Sequence, residues 1–548
     1  MNRSVAGLVL LGSLLSGCGG GGAESAAVAA APISAIAPTA LTAQVVEAPV
    51  TTVPVPATPV VISTPEPSAI DLELIALIES NDMTVNPALN RDLPLITEPV
   101  ALLGKALFYS TQLSGEQDVA CVSCHHPTLG GADGLSLSVG VHAVDAANLV
   151  DAALLGPGRH SEQSGNLPVV PRNAPSVFNA GFWDRGMFWD SRVASRGAEP
   201  TRNGQASGIV TPDGPLNAQG LHGVDTSIAN GTSLASAQAR FPVTSTAEMR
   251  GDVAVGETNQ ALRELLATRL DDPQSGWPAM FTAAFGSPVI NFDVVADALG
   301  EYERSMNFVA SPWQAYVAGD LGALSDAQKR GATAFLTPVN EGGAGCSRCH
   351  QGNTFSDGRH HIVGFPQLSD DVGREVVSGD GGDRYHFRTP SLLNVAVSAP
   401  YGHAGLYQSL EEVVNHYDNP GRAVDRLFGA NEGVAFVDVS PPFCVLPQIS
   451  RAIAVSGRSC ESLYPDAYGH SRTLLQRLNS NAANSDLGPT PNLGNNEVAD
   501  LVAFMEALTD PCVLSRACLD PWILDGDDVG DYPDDSLLIG HDEAKLDL

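Results

Sequence analysis

Basic residues are scarce in this 548-residue chain, and so are aromatic ones. Lys and Arg number 29 against 62 Asp and Glu, which gives a formal net charge of −33. So large an excess of negative charge repels nucleic acid and anionic lipid headgroups, and it excludes both as binding partners. Aromatic residues make up only 6% of the chain, whereas Gly (55) and Pro (38) are plentiful. This composition predicts a loop-rich protein whose core is completed by something other than side chains.

Long apolar runs are also missing. No stretch of about 18 apolar residues follows the N-terminus, so we expect no transmembrane helix in the mature protein. At the N-terminus itself, Arg3 and the apolar run from Val5 to Leu15 precede Cys18, as in a bacterial lipoprotein signal. We therefore expect a signal peptide over residues 1–18 that ends at a lipidated Cys18. The alternative is an ordinary signal peptide. The absence of Asp after Cys18 favours the outer membrane, facing the periplasm, with membrane contact through the lipid alone.

Two short motifs contain four of the nine cysteines: Cys121-Val122-Ser123-Cys124-His125 and Cys346-Ser347-Arg348-Cys349-His350. In a CxxCH motif the two thiols add across the vinyl groups of a haem, and the adjacent His binds the iron. A zinc site would require four close ligands, and a redox CxxC would not require the His. The motifs therefore predict two covalently bound haem c groups. The thioether cysteines would be Cys121, Cys124, Cys346 and Cys349, and the iron ligands His125 and His350.

Four cysteines remain once lipid and haem are assigned. They are Cys444, Cys460, Cys512 and Cys518. An even number of cysteines in an oxidising compartment predicts two disulfides. The sequence does not fix the pairing, although Cys444–Cys460 and Cys512–Cys518 would close the shorter loops.

Both halves of the chain repeat one plan, in which a helix precedes a CxxCH motif and a long loop-rich stretch follows it. The repeats lie about 225 residues apart, a distance that suits two tandem domains rather than a solenoid. We expect a low-complexity tether over residues 19–66, an N-terminal domain over 67–318 and a C-terminal domain over 319–520. Residues 521–548 would form an acidic, solvated tail, with a calcium-binding loop as the alternative.

Helical patterns dominate the secondary structure that the sequence predicts. They cover residues 70–78, 99–108, 259–270, 292–317, a segment from Ser325 onwards, and 496–508. Pro99 and Ser325 stand where a helix start favours Pro and Ser. Residues 200–235 are rich in Gly, Ser and Asn without a clear period, so we expect an inserted surface loop there. No alternating strand series appears, and the chain is predicted to be mainly α-helical.

Several longer motifs occur in a fixed order around the two CxxCH sequences. The first half contains Leu113-Ser114-Gly115, Arg172-Asn173-Ala174-Pro175-Ser176 and Phe188-Trp189-Asp190-Ser191-Arg192. The second half contains Arg388-Thr389-Pro390-Ser391 and Ala399-Pro400-Tyr401-Gly402-His403-Ala404-Gly405. In this order they closely resemble the bacterial di-haem cytochrome c peroxidase/MauG family. The resemblance covers about residues 95–510, except for insertions near 143–170 and 200–235, and implies two tandem cytochrome c-like domains with long loops.

The resemblance also assigns roles to individual residues. It implies that the haem of His125 is peroxidatic and that the haem of His350 transfers electrons. Trp189 matches the family's tryptophan between the haems, and an ordinary core aromatic is the alternative reading. Glu248 matches the catalytic glutamate, and Gln238, ten residues earlier, matches its companion glutamine.

A calcium ion between the two haems is a further implication of the resemblance. Asn173 matches its side-chain ligand, and backbone carbonyls near Asp383 and Tyr385 would complete the site with water. Oxygen ligands at a domain junction suit a hard cation. The alternative is that Asn173 caps a turn.

The sequence departs from the family at the sixth ligand of the C-terminal haem. Gly402 stands where the family usually has Met and where MauG has Tyr. Tyr401, His403 or a more distant group would then bind the iron, or the iron would be five-coordinate. On the N-terminal haem, some relatives close the open face with a loop His, for which His142 and His160 are the candidates.

The predicted reaction is the reduction of hydrogen peroxide with electrons from a small redox protein such as a cytochrome c or a cupredoxin. A MauG-like oxidase that acts on an organic or protein substrate is the alternative. A non-catalytic electron carrier is disfavoured because it needs neither Glu248 nor Gln238. The sequence does not fix the oligomeric state, for which a homodimer is one option. We expect the remaining histidines near the motifs to lie at the surface or beside the haem propionates; these are His126, His360, His361 and His416.

Overall fold

The structure is a computed structural model that describes most of the chain from residue 66 onwards. The described ranges are 66–143, 154–161, 167–168, 170–197, 201–205, 208–438, 440–480, 487–526, 536–542, 546 and 548. The predicted signal peptide with Cys18, and the predicted tether up to residue 65, lie outside the described residues. Within the ranges given, no helix is both long enough and apolar enough to cross a membrane.

Helices dominate the described part of the chain, as the sequence predicts. Those of the first half are α1 (Ala69–Ser80), α2 (Pro99–Tyr109), α3 (Leu234–Gln238), α4 (Asn259–Leu270), α5 (Trp277–Phe285), α6 (Phe292–Ser305) and α7 (Pro312–Val317). Those of the second half are α8 (Asp326–Leu336), α9 (Glu375–Ser378), α10 (Leu410–Asp418), α11 (Pro420–Leu427), α12 (Pro442–Val445), α13 (Pro447–Ser456), α14 (Cys460–Leu463), α15 (Ala467–Ser480), α16 (Asn495–Glu506) and α17 (Arg516–Leu519).

Local sequence signals set the helix ends. The hydroxyl of Ser325 accepts a hydrogen bond from the backbone N–H of Gln328, and the Gln328 side chain accepts one from the N–H of Ser325. This capping box explains why α8 begins where it was predicted. The single helix expected over residues 292–317 is wrong. The chain forms α6 and α7 instead, because Pro312 cannot continue a helix and starts a new one, with the Ser311 hydroxyl as its cap.

Strands are short, in agreement with the lack of alternating patterns. β1 (Gly186–Met187), β2 (Val193–Ser195) and β3 (Ile209–Val210) form one antiparallel sheet. β4 (His360–His361) and β5 (Phe387–Arg388) form a second antiparallel pair. β3 lies inside the stretch expected to be a surface loop. That expectation is wrong for the part around Thr211 and Asp225, because both side chains are buried and hydrogen-bonded to each other at 2.7 Å.

Each half contains one close helix pair beside its CxxCH motif. In the first half α2 packs on α6, and a Cβ atom at Gly104 would lie 2.0 Å from the carbonyl oxygen of Ala298. In the second half α8 packs on α16, and a Cβ atom at Gly331 would lie 1.9 Å from the carbonyl oxygen of Asp500. Glycine is therefore required at both crossings. The repeated plan seen in the sequence has a structural counterpart in these two helix pairs.

The predicted domain boundaries need correction at the N-terminus. α1 packs on α8 of the second half, where Lys329 forms a buried ion pair with Asp71 at 2.8 Å. Leu74 of α1 and Trp313 of α7 belong to the same apolar cluster as Phe335. Residues 67–318 therefore do not form a separate unit, because α1 near their start and α7 near their end pack into the apolar cluster of the second half.

The predicted solvated tail is also wrong for its described residues. Ile523, Leu524 and Leu538 are buried in the apolar cluster that contains Phe108. The backbone carbonyl of Ser536 accepts a hydrogen bond from the N–H of Thr111 at 3.0 Å. Composition alone suggested solvent exposure, but the apolar residues among the acidic ones attach this segment to the first half.

Two disulfides follow the local pairing. Cys444 is bonded to Cys460, and Cys512 is bonded to Cys518. The other four described cysteines, Cys121, Cys124, Cys346 and Cys349, carry free thiols. All four belong to the CxxCH motifs, as expected for thiols reserved for haem attachment.

The ion pair between α1 and α8 generates a test of this packing. Replacing Asp71 by Asn should lower the free energy of unfolding by about 3 kcal/mol, because it leaves the buried Lys329 ammonium without its counter-charge. Chemical denaturation followed by circular dichroism measures the change. Asp326→Asn, on the exposed side of α8, is the matched control and should change the free energy by less than about 0.5 kcal/mol. Equal effects of the two substitutions would contradict the packing described.

Candidate haem-binding sites

Both CxxCH motifs fold into the same tight turn. In the first, the N–H groups of Cys124 and His125 donate to the carbonyl of Cys121, each at 3.1 Å. In the second, the N–H groups of Cys349 and His350 donate to the carbonyl of Cys346 at 3.3 and 3.0 Å. This turn brings two thiols and one imidazole together in each half.

The imidazole of each motif is oriented by a hydrogen bond between Nδ1 and a backbone carbonyl. Nδ1 of His125 lies 3.2 Å from the carbonyl oxygen of Gly131, and Nδ1 of His350 lies 2.9 Å from that of Phe355. A carbonyl can only accept, so Nδ1 carries the proton and Nε2 keeps its lone pair for a metal. Burial lowers the pKa of His125 to about 4, and it also lowers the pKa of His350. Both rings are neutral at pH 7, which is the form that binds iron.

Each motif opens onto a cavity. The first cavity has a volume of about 690 Å³ and the second about 250 Å³. Paired free thiols and an imidazole with an available Nε2 on the wall of a cavity form the donor set that haem c requires. The residues present therefore fit one haem in each half. Members of the first wall are Cys121, Cys124, His125, Trp189, Gln238 and Glu248. Members of the second are Cys346, Cys349, His350, Tyr401, Gly402 and His403.

One wall is common to the two cavities. It consists of Asn173, Ala174, Pro175, Ser176, Trp183 and Trp189. Trp189 lies at the tip of the hairpin between β1 and β2, and its indole N–H donates to the carbonyl of Asn173 at 2.9 Å. Trp189 thus lines both cavities, and its role between two haems stays a prediction. Trp183 lies in the same wall under the guanidinium of Arg388, 4.1 Å from its ring centroid, and sequence reasoning missed it.

The hairpin that carries Trp189 is tied to the second half by its neighbours. Arg172 bridges Asp190 of the hairpin and Asp371 of the second half, at 2.7 and 2.6 Å. The backbone N–H of Arg388 donates to the carbonyl of Trp189 at 2.7 Å. These contacts between distant parts of the chain fix the tryptophan relative to both cavities.

Glu248 and Gln238 reach the first cavity from different elements. Glu248 lies on a single π-helical turn (Thr246–Arg250), which the Ser245 hydroxyl caps by accepting from the Glu248 N–H at 3.3 Å. Its carboxyl makes no hydrogen bond to any residue that the structure describes. Burial raises the pKa of Glu248, and the positive charge of Arg192 lowers it by a smaller amount. Gln238 is the last residue of α3. Two residues predicted as partners therefore line one cavity.

A close backbone contact holds the turn of Glu248 in place. A Cβ atom at Gly140 would lie 2.1 Å from the carbonyl oxygen of Ala247 and 2.5 Å from that of Glu248. Behind this contact, the buried guanidinium of Arg159 donates to the carbonyls of Val139 and Gly140 at 2.8 and 3.3 Å. Arg159 belongs to the insertion near 143–170, in which sequence reasoning named only His160 as a candidate site residue.

A second carboxyl lines the first cavity. Glu303 lies on α6, is 7% exposed, and burial raises its pKa to about 8. The carboxyl is therefore mostly protonated at pH 7. The sequence signal for Glu303 is a charged residue on the apolar face of a predicted helix. Leu299 and Tyr302, on the same helix, are fully buried.

The structure brings only part of the predicted calcium site together. Asn173 and Tyr385 line the second cavity, whereas Asp383 does not. The Asn173 amide donates to the carbonyl of Pro400 at 2.9 Å, which leaves its oxygen available as a ligand. The carbonyl of Asp383 accepts from the N–H of His386 at 3.1 Å. Calcium at this junction stays a prediction.

The candidate sixth ligands occupy different surroundings. His403 is 3% exposed and stacked on Phe387, with ring centroids 3.9 Å apart. The Tyr401 hydroxyl donates to the carbonyl of Val395 at 3.1 Å. His142 and His160 are not among the residues that line the first cavity, and ligation by either stays a prediction.

Two of the histidines expected at the surface or beside the haem propionates are buried. His126 is 1% exposed, with Nδ1 at 2.8 Å from the Thr128 hydroxyl. His416 is fully buried between the Tyr407 hydroxyl and the carbonyl of Val363, each at 2.9 Å. The surface position is therefore wrong for both, because long-range partners for the ring nitrogens cannot be read from neighbouring residues.

Comparison with known proteins places these features in a family. Residues 98–322 match the family model described as di-haem cytochrome c peroxidase. The chain is 30% identical over 331 residues to the methylamine utilization protein MauG of Methylorubrum extorquens, covering 60% of this chain and 70% of the relative. It is 29% identical over 328 residues to cytochrome c551 peroxidase of Pseudomonas aeruginosa, covering 58% and 71%.

Solved structures also align with this chain. A MauG-like protein associated with microbial copper homeostasis aligns with a TM-score of 0.47 at 22% identity, covering 78% of this chain and 97% of that one. The diheme peroxidase BthA of Burkholderia thailandensis aligns with a TM-score of 0.47 at 20% identity, covering 78% and 89%.

The contact at Gly140 generates a test of how Glu248 is positioned. Gly140→Ala should lower peroxide turnover by about 100-fold while both haems stay attached, because the added methyl group displaces the turn that carries the carboxyl. Steady-state turnover and the absorbance of covalent haem are the measurements. Gly469→Ala is the matched control, since a Cβ atom there meets no atom within 4 Å. Full turnover in Gly140→Ala would show that this contact does not position Glu248.

Proposed function

The chain belongs to the di-haem cytochrome c peroxidase and MauG family, and from that premise we propose that it reduces hydrogen peroxide in the cavity of His125. Family membership implies two haem c groups, and the enzyme is an oxidoreductase. The observation that supports the proposal most is the pair of Glu248 and Gln238 on the wall that also carries the His125 motif. An electron carrier has no use for a half-buried carboxyl that lies beside an open cavity and makes no hydrogen bond to any described residue.

The two haems, once bound, supply iron that exchanges single electrons. The chain supplies the proton chemistry. Ionised Glu248 would accept a proton from one peroxide oxygen and return it to the other as the O–O bond breaks, so that this oxygen leaves as water. The Gln238 amide would orient the peroxide by hydrogen bonding. Two electrons and two further protons complete the conversion of one peroxide to two waters.

Trp189 would connect the two sites electronically. It lines both cavities and is fixed by hydrogen bonds to Asn173 and Arg388. An aromatic ring held between two redox groups shortens the distance over which each electron must pass. The ion pairs of Arg172 with Asp190 and Asp371 hold this ring in a fixed position relative to both halves.

A MauG-like oxidase is the second candidate. Gly402 favours it, because the methionine ligand typical of the peroxidases is absent. The relatives include a protein named MauG and others named cytochrome c peroxidase. Turnover of peroxide with reduced cytochrome c supports the peroxidase, whereas peroxide-driven oxidation of an organic or protein substrate without that donor supports the oxidase.

The remaining proposals concern location and partners. Lipidation of Cys18 would hold the enzyme at the outer membrane, facing the periplasm. A net charge of −33 favours a basic electron donor such as a small cytochrome c or cupredoxin. One calcium ion near Asn173 and a homodimer are also part of the proposal.

High ionic strength should slow electron transfer from a basic donor protein, because salt screens the attraction between that donor and the negatively charged enzyme.

The proposed role of Glu248 leads to a first prediction for activity. Glu248→Gln should lower peroxide turnover by about 100-fold to 10,000-fold, because the amide cannot accept the proton. The absorbance of covalent haem should stay unchanged. Glu257→Gln, an exposed carboxyl nearby, is the control and should keep full activity. Unchanged turnover in Glu248→Gln would exclude the carboxyl from the mechanism.

The electrostatics of Glu248 lead to a second prediction. The carboxyl must be ionised to act, so kcat/KM should rise with pH through its pKa, which burial places above the ordinary value. Arg192 lowers that pKa, so Arg192→Gln should raise it and move the rising limb of the profile to higher pH. The pH dependence of kcat/KM measures the shift. A limb that moves to lower pH, or does not move, would contradict the assignment of this limb to Glu248.

A further inference from the structure

The wall shared by the two cavities contains two tryptophans. Trp183 and Trp189 line both the cavity of His125 and the cavity of His350. Each ring therefore lies where it can give an electron to an oxidised group in either cavity. The proposed function uses Trp189 alone, and the contacts of the two rings bear on that choice.

A buried positive charge lies over the ring of Trp183. The guanidinium carbon of Arg388 is 4.1 Å from the ring centroid, and Arg388 is only 6% exposed. Burial lowers the pKa of Arg388 to about 10, so the group is still charged at pH 7. A cation on the face of an indole stabilises the neutral ring, whereas it repels the positive charge that the ring gains when it loses an electron. Arg388 therefore makes Trp183 harder to oxidise.

No carboxylate in the described part of the chain cancels the charge of Arg388 by a direct ion pair. Its Nε–H donates to the carbonyl of Phe188 at 3.0 Å, and a terminal N–H donates to the carbonyl of Thr389 at 3.5 Å. Asp190 favours the charged form of Arg388, but its carboxylate accepts a hydrogen bond from Arg172 at 2.7 Å. Because both acceptors of Arg388 are uncharged carbonyls, its positive charge acts on the indole below it.

The indole N–H groups of the two tryptophans also differ. That of Trp189 donates to the carbonyl of Asn173 at 2.9 Å, and a carbonyl oxygen at this position stabilises the positive charge of an oxidised ring. The N–H of Trp183 is buried and has no hydrogen-bond partner among the described residues. Within the same residues, no cation–ring contact is found for Trp189. Charge and hydrogen bonding therefore favour oxidation of Trp189 over oxidation of Trp183.

We propose that Arg388 confines oxidation of the shared wall to Trp189 and keeps Trp183 reduced. The inference rests on the proposed function, which supplies the oxidant, namely hydrogen peroxide activated at the haems. In this role Arg388 is a positioning residue, because it acts through its charge on the neighbouring ring and not by binding peroxide. Electrons that cross the wall then pass through one ring, and the second ring is protected from peroxide when a donor is scarce.

Peroxide added without an electron donor makes the difference between the rings measurable. Conversion of one hydrogen peroxide to two waters takes up two electrons and two protons. An indole that gives both electrons and takes one oxygen atom from water becomes hydroxytryptophan and releases two protons. In sum, one peroxide and one tryptophan give one hydroxytryptophan and one water. The oxidised ring therefore carries one additional oxygen atom, which mass spectrometry detects.

Peptide mass spectrometry after peroxide treatment of the protein with both haems attached provides the test. In the parent protein, hydroxytryptophan should form at Trp189 in excess over Trp183. Arg388→Gln should raise oxidation of Trp183 by about 10-fold, because the repelling charge is gone. Arg359→Gln removes an exposed positive charge and is the matched control, which should keep the parent pattern. Equal oxidation of the two rings in the parent, or unchanged oxidation of Trp183 in Arg388→Gln, overturns the proposal.

Two further variants keep the test decisive where Arg388→Gln disturbs the fold. Arg388→Lys preserves the charge, so oxidation of Trp183 should stay at the parent level. In Trp189→Phe the guanidinium is intact, and Trp183 should stay unmodified although the competing ring is gone. Oxidation that moves to Trp183 in either variant contradicts the proposed action of the charge.

Failure of this inference is distinguishable from failure of the proposed function. The proposed function fails where the parent protein does not turn over peroxide with a reduced donor protein. The inference fails where that turnover continues but oxidation of Trp183 does not respond to the charge at position 388.

Discussion

The orientation of two histidine rings is the constraint on which the rest of the structure depends. In each half a backbone carbonyl, of Gly131 or Phe355, holds Nδ1 and leaves Nε2 available for iron. The neighbouring thiols can capture a haem only where that ring points into the cavity. Burial keeps both imidazoles neutral, so the ligand is ready before the metal arrives.

The two sites differ in the chemistry of the face opposite the histidine. The first cavity contains Glu248, whose ordinary acidity is weakened by burial, together with the half-buried Gln238. The second is closed by Phe365 where Gly402 leaves no side chain. Under the proposed function, proton transfer would therefore be restricted to the first site, and the wall with Trp189 would connect the two sites. Under the proposed function, these few side chains give two similar pockets different chemical roles.

Local signals in the sequence predicted most of the elements and the two haem motifs. The CxxCH turns, the capping box of Ser325 and the start of α2 at Pro99 depend only on residues close in the chain. The packing of α1 on α8 and the burial of Leu538 depend on partners that lie hundreds of residues away, so composition gave the wrong expectation for the tail. Distant contacts also explain why the roles of Arg159 and Trp183 were missed, and why a surface position was one of the two expectations for His416.

Covalent attachment of two haems is the central claim, and the intact mass of the denatured protein tests it most directly. The protein would be produced in a host that matures c-type cytochromes and measured beside a variant with Cys346 and Cys349 replaced by Ala. The account predicts a mass that exceeds the processed polypeptide by two haems, and by one haem in the variant. A mass equal to the polypeptide alone would contradict the account from its first step.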